Sequence, residues 1–223
     1  PETESRWDYP STDVGGSYLV HVAADGSTIA SLDLSDTNNE DNEDGMSGNL
    51  SSFAVDAAGN LYVSDYNNIY VLDAEGNVQF KLDGSQYNGS LCRLNAQQVG
   101  VMWYNYTDDV NAADENGQYF VPIDLETKDW GEKVKLPSNV GSILPGDDAY
   151  DFYYTYNNNI YGYAAKTDTK EKLVDWLACD VDTNNMSGYA MLSDSRVAGL
   201  LQDWNTDPTT YQLVLLHRVD ASE

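Results

Sequence analysis

Residues 50–84, LSSFAVDAAGNLYVSDYNNIYVLDAEGNVQFKLDG, limit the available folds more than any other stretch of the chain. Four short apolar runs, rich in Val, Tyr, Phe and Ile, are separated by turn signals, and the pattern Asp-x-x-Gly-Asn occurs at Asp56–Asn60 and again at Asp73–Asn77. Runs of this length, punctuated by Gly, Asn and Asp, are β-strands. Gly59-Asn60 and Gly76-Asn77 supply the positive φ that tight hairpins require. The stretch therefore predicts one antiparallel unit of strands A to D, at 51–56, 61–65, 69–73 and 78–82.

Weaker copies follow. The second unit covers 91–136, with strands at 91–95, 100–104, 118–124 and 133–136. The third covers 140–176, with strands at 140–144, 150–154, 160–164 and 172–176. The fourth, 187–219, has strands at 187–192, 196–201 and 211–219. Residues 17–35 read as a C and D pair, at 18–23 and 29–34. A strands thus recur every ~40–49 residues, the spacing of propeller blades. The expectation is an all-β propeller of four-stranded antiparallel blades: three full units and two partial ones, in one domain over 1–223. The unequal ends predict either a piece of a larger propeller or a small ring closed by its two ends. The polar segments 36–49 and 107–117 read as loops, and 164–180 as a hairpin despite its helix formers.

Charge is the second signal. Eleven Lys plus Arg against 37 Asp plus Glu give −26. That surface opposes nucleic acid and anionic membranes, which both require cationic footprints. Most of these acids read as solvated loop residues. An apolar content of 41% supports a packed core, and no apolar run is long enough to span a membrane. Cys92 and Cys179 fall in units that are not neighbours, so two buried thiols are preferred over a disulfide.

Few residues point to chemistry. His21 and His217 fall in strands, and no Gly-x-Ser-x-Gly elbow is present. Asp180, Asp182 and Asn184 alternate like the opening of a Ca²⁺ loop, but Asn185 stands where that loop needs Gly and Met191 where it needs Glu. Ca²⁺ is the one cofactor the sequence suggests. The aromatic set is more informative. Trp7, Trp103, Tyr104, Tyr106, Tyr153, Tyr154, Tyr156 and Trp204 fall at the ends of B strands or just after them. Of these, Trp103, Tyr104, Tyr106, Tyr154, Tyr156 and Trp204 are the candidate ligand-binding residues, suited to stacking on sugars or peptides. The alternative is that they fill wedges between blades, the role expected of Phe53, Tyr62 and Phe80.

The stretch Val55–Val63 resembles the strand–turn–strand core of NHL and gluconolactonase-type propellers. A likeness over more of the chain is carried by SYLVHVAADG at 17–26, WGEKVKLP at 130–137, YDFYY at 150–154, NIYGY at 159–163 and the end 211–223. These resemble the N-terminal propeller region of extracellular solute-binding lipoproteins, associated with ABC transporters, of gut Firmicutes. The resemblance implies a non-catalytic module outside the cell, lipid-anchored through sequence ahead of residue 1, with a solute-binding domain downstream. The metal-binding Glu, Asn and Asp pattern of gluconolactonases is not recognisable. Two other readings stand beside this one: a propeller enzyme of the metal-dependent lactonase or glycan lyase type, and a purely structural assembly module.

Overall fold

The computed structural model describes residues 18–22, 27–33, 51–65, 67–109, 112, 115–157, 159–181, 183–191 and 196–216. Trp7, His217, Asp182 and the loop 36–49 lie outside them, as does part of 107–117. The described residues form a β-propeller of antiparallel blades and contain no α-helix. None of their helices is long and apolar enough to cross a membrane.

The strands β1 (Tyr18–Val22) and β2 (Thr28–Asp33) make a two-stranded sheet. Blade 1 is β3 (Ser52–Val55), β4 (Leu61–Ser64), β5 (Asn68–Leu72) and β6 (Val78–Asp83), paired in that order. Blade 2 is β7 (Ser90–Arg93), β8 (Val99–Asn105) and β9 (Gly117–Asp124), with β10 (Asp129–Trp130) and β11 (Val134–Lys135) both on β9. The single D strand expected here is thus split. Gly131, between the two halves, donates its N–H to the Pro122 carbonyl at 2.8 Å, and a side chain there would meet the Pro122 ring.

Blade 3 is β12 (Ile143–Pro145), β13 (Phe152–Tyr156), β14 (Asn159–Ala164) and β15 (Thr169–Asp175). Its A strand starts later than the apolar run suggests. Val140 is held by the Gln118 side chain instead, whose Nε2 donates to the Val140 carbonyl at 2.6 Å while Oε1 accepts from Val140 N–H at 2.8 Å. Residues 164–175 form the expected hairpin, turning through Ala165–Thr167. Blade 4 is β16 (Met186–Met191), β17 (Val197–Asp203) and β18 (Thr210–Leu216).

Consecutive blades touch through their first strands, β3 on β7, β7 on β12 and β12 on β16. Strand alternation then divides every blade between two cores. Tyr62, Val71, Val101 and Val121 fill the first, between blades 1 and 2. Phe120, Leu136, Phe152 and Tyr154 fill the second, between blades 2 and 3. Tyr153, Ile160, Trp176 and Val197 fill the third, between blades 3 and 4. Phe53 departs from the wedge-filling role expected of it. It sits on the other face of its strand from Ala54 and is 61% exposed.

The acids do more than solvate loops. Asp56, Asp65, Asp73, Asp83, Asp124, Asp147 and Asp203 each accept the backbone N–H two residues ahead, closing the turn that follows a strand. Gly59 and Gly76 complete two of these turns at φ of 89° and 90°. Cys92 and Cys179 are both free; Cys92 is half-buried, whereas Cys179 is exposed and not a core thiol.

Candidate functional site

Antiparallel order places the B–C and D–A connections of every blade at one end of its sheet, and the A–B and C–D turns at the other. Four of the six candidate aromatics are exposed at the first of these ends. Tyr104 and Tyr106 lie at the end of β8 and just beyond it, Tyr156 ends β13, and Trp204 follows β17. Their exposures are 62%, 68%, 37% and 69%. Three consecutive blades therefore present large rings in the same connection.

Local hydrogen bonds hold Tyr106 and shape the turn that carries Trp204. The Tyr106 hydroxyl donates to Asp108 Oδ1 at 2.7 Å, and this bond to the carboxylate pushes the phenol above its ordinary range. The loop behind it is pinned by Asn116, which accepts from Thr107 N–H at 2.6 Å and donates to the Thr107 carbonyl at 3.1 Å. The Trp204 turn is closed by Asp203, which accepts from Asn205 N–H at 2.9 Å, and by Thr206 Oγ1, which accepts from Thr210 N–H at 3.0 Å.

The other two candidates are wedge fillers. Trp103 shares a face of β8 with Val99 and Val101. It packs edge-on to Tyr87 at 5.1 Å at the margin of the first core. Tyr154 is 3% exposed and stacks on Tyr161 at 5.3 Å in the second core. Position along the strand separates the two groups: Trp103 and Tyr154 lie further inside their strands, whereas Tyr104 and Tyr156 belong to the last two pairs at the strand ends and Tyr106 and Trp204 lie beyond them.

Two cavities border blade 4, and neither is lined by these rings. One of about 400 Å³ lies next to the Trp204 turn and is lined by Asp180, Asn185, Asp203, Thr210 and Tyr211. Asp180, one of the Ca²⁺ candidates, adopts a left-handed conformation there at φ 59°, and its N–H donates to the Leu177 carbonyl. Asn184 is exposed, and Asp182 lies outside the described residues. No group of three or more His, Cys, Asp or Glu suited to a metal ion occurs among the described residues. Tyr211 is the ring that sequence reasoning missed. It is 62% exposed opposite Gln202, and its hydroxyl accepts from Gln202 Nε2 at 3.2 Å. Its one sequence signal is its position opening the C strand, directly after the Trp204 turn.

The second cavity, about 430 Å³, opens between blades 3 and 4 and is lined by Tyr150, Tyr153, Glu171, Lys172 and Cys179 among others. Its polar groups are mutually satisfied. The Tyr150 hydroxyl donates to Glu171 at 2.5 Å, the Tyr153 hydroxyl to Asp147 at 2.5 Å, and Lys172 to Asp175 at 3.0 Å. Burial acts to raise the Asp147 carboxyl, but the bonds from Tyr153, Ala149 and Tyr150 outweigh it and hold the group below the usual carboxylate range.

Chemically, the exposed rings offer flat apolar faces bordered by Asn and Asp acceptors. That combination stacks on pyranose faces and accepts bonds from hydroxyls. It offers little to anions, because the neighbouring charges are carboxylates.

No protein-family model matches the chain, and no curated protein matches it. Solved structures that resemble it include the extracellular domain of a protein described as the hybrid two-component system BT4673 of B. thetaiotaomicron. It is 14% identical, over 82% of this chain and 22% of that one, with a TM-score of 0.43. The extracellular domain of BT3049 from the same organism is 12% identical, over 82% of this chain and 24% of that one, at 0.42. The N-terminal domain of Nup159 is 13% identical, over 77% of this chain and 46% of that one, at 0.39. The chain spans less than half the length of each. Its assignment as a β-propeller rests on its own sheets.

Proposed function

We propose that the chain is a non-catalytic, extracytoplasmic binding module whose ligand is a neutral glycan, held on the exposed aromatics of the B–C connections. The observation that carries this reading is the repeated placement of Tyr104, Tyr106, Tyr156 and Trp204 at one end of three consecutive blades, all exposed. Large rings clustered in water at one end of three blades, on a chain that packs most of its described aromatics into three cores, have a use outside those cores. The net charge of −26 favours neutral ligands over acidic ones and opposes nucleic acid. Ring stacking needs no cofactor. Ca²⁺ beside Asp180 and Asn184 would be an accessory that orders the neighbouring loop. On the resemblance to solute-binding lipoproteins, the module would stand at the cell surface, lipid-anchored, and gather or present ligand for a downstream solute-binding domain.

The test is a broad array of neutral oligosaccharides and peptides, followed by titration of hits against Trp204→Ala and Tyr106→Ala. Each substitution should weaken binding by ~5-fold or more, since truncating a ring that anchors a ligand costs about 1 kcal/mol or more, and leave the melting temperature unchanged. Hits confined to peptides would replace the glycan with a peptide ligand. The binding reading fails if nothing on the array binds, or if both variants bind as the parent does.

A further inference from the structure

In blades 1 to 3, the face turned toward the following blade is sealed. At its centre the C-strand residues Val71, Phe120 and Ile160 are 1%, 0% and 0% exposed, and among the B-strand residues are Tyr62 at 1% and Tyr153 at 3%. The corresponding face of blade 4 is open. Leu200 on β17 is 39% exposed, and Leu213 and Leu215 on β18 are 63% and 46% exposed. Register confirms that they share one face: Leu200 lies opposite Leu213, and Ala198 opposite Leu215. The reverse face of the same sheet, with Tyr189, Leu201, Val214 and Leu216, packs into the third core. Blade 4 is therefore apolar on both faces, as an interior blade is, and among the described residues only one of them is packed into a core.

The open face also differs from the rest of the surface. None of the residues that register places on it, Gly188, Ala190, Ala198, Leu200, Gln202, Tyr211, Leu213 and Leu215, is charged, although the chain carries −26. We propose that this face is a blade-docking surface, and that in the 223-residue chain its occupant is the same face of a second copy, related by a two-fold axis. The surface continues the series of three inter-blade cores, so what fits it is another uncharged sheet face, and a second copy brings one by construction. Leu213, at the midpoint of Thr210–Leu216, lies near the axis. Elsewhere the two copies repel through their acids, so the association strengthens as salt screens that repulsion.

Sedimentation equilibrium of the 223-residue chain over a range of concentrations tests this. The expected result is a reversible doubling of mass, tighter at about 0.5 M salt than at about 0.05 M. Leu213→Asp should weaken the dimer at least ~10-fold by setting an unpaired charge in its centre. Because Leu213 is exposed in the single chain, the same change should leave the melting temperature of dilute, monomeric protein unchanged. A single-chain mass at all concentrations overturns the proposal. So does a dimer that salt dissolves, or one indifferent to Leu213→Asp. A fall in the monomer's melting temperature on this substitution would show that the chain covers the face itself, and overturns it equally.

Discussion

Replacing Asp56 with Ala removes the carboxylate that closes the first turn of blade 1. This group is 7% exposed and accepts four hydrogen bonds: from Ala58 N–H at 2.9 Å, Asn60 N–H at 3.0 Å, Asn60 Nδ2 at 2.7 Å and the Tyr62 hydroxyl at 3.1 Å. The losses are unequal. Ala58 is exposed and Asn60 half-exposed, so water can replace the bonds to them, and their loss costs about 1 kcal/mol, as for a lost cap. Tyr62 is 1% exposed in the first core, and its orphaned hydroxyl adds about 1–3 kcal/mol. Asp56→Ala should therefore cost about 3 kcal/mol. Tyr62→Phe alone should cost about 1 kcal/mol, and the double variant no more than Asp56→Ala, because no stranded hydroxyl remains. Urea denaturation of the four proteins yields the coupling energy. Asp73→Ala, which breaks the exposed copy of the same turn with its bonds to Glu75, Asn77 and Gln79, is the control and should cost much less. A coupling within about 0.5 kcal/mol of zero, or equal losses for Asp56 and Asp73, would refute the burial argument.

Stability should fall at both pH extremes. Tyr62 is pushed above its ordinary range by burial first and then by the Asp56 charge and hydrogen bond, so its contribution is intact below about pH 10 and is lost as pH rises further. Asp147 is held low, so its contribution is present above about pH 4 and is lost below it; a melting temperature flat from about pH 9 to 11 would contradict the first half. A thiol reagent should label Cys179 in the native protein at once and Cys92 only on unfolding, since burial pushes the Cys92 thiol up to about 12; equal labelling rates would contradict that placement. Gly162→Ala should displace the Tyr150 ring, which lies 2.6 Å from where the new Cβ would stand, and so break the Tyr150–Glu171 bond beside the cleft between blades 3 and 4. The readout is a melting temperature lowered by several degrees, and Tyr150→Ala in the same background should relieve part of the loss.

The blade repeat was legible because strands carry their own signature. Alternating Val, Tyr and Ile between Asp-x-x-Gly-Asn turns describes a hairpin without reference to anything distant, and β3 to β6 fall where those runs are. The same local chemistry explains the aspartates, each of which closes a turn two residues away. The exceptions arose from distant partners. Gln118 claims Val140 across 22 residues and delays β12. Gly131 packs on Pro122 and divides the outer strand of blade 2.

The aromatic candidates show where sequence reasoning reached its limit. Trp103 and Tyr104 are adjacent and equally aromatic, yet one packs at the margin of the first core and the other stands in solvent. A strand turns successive side chains to opposite faces, and which face meets a neighbouring blade, and how far along it that contact extends, depends on how the blades are stacked. Sequence alone determined the strands, their antiparallel order and the turn chemistry, because these depend on residues close along the chain. Tertiary structure alone decided which rings fill wedges, which stand free at the B–C connections, and that blade 4, among the described residues, packs only one of its apolar faces into a core. Those outcomes depend on contacts between blades, formed by residues remote in sequence.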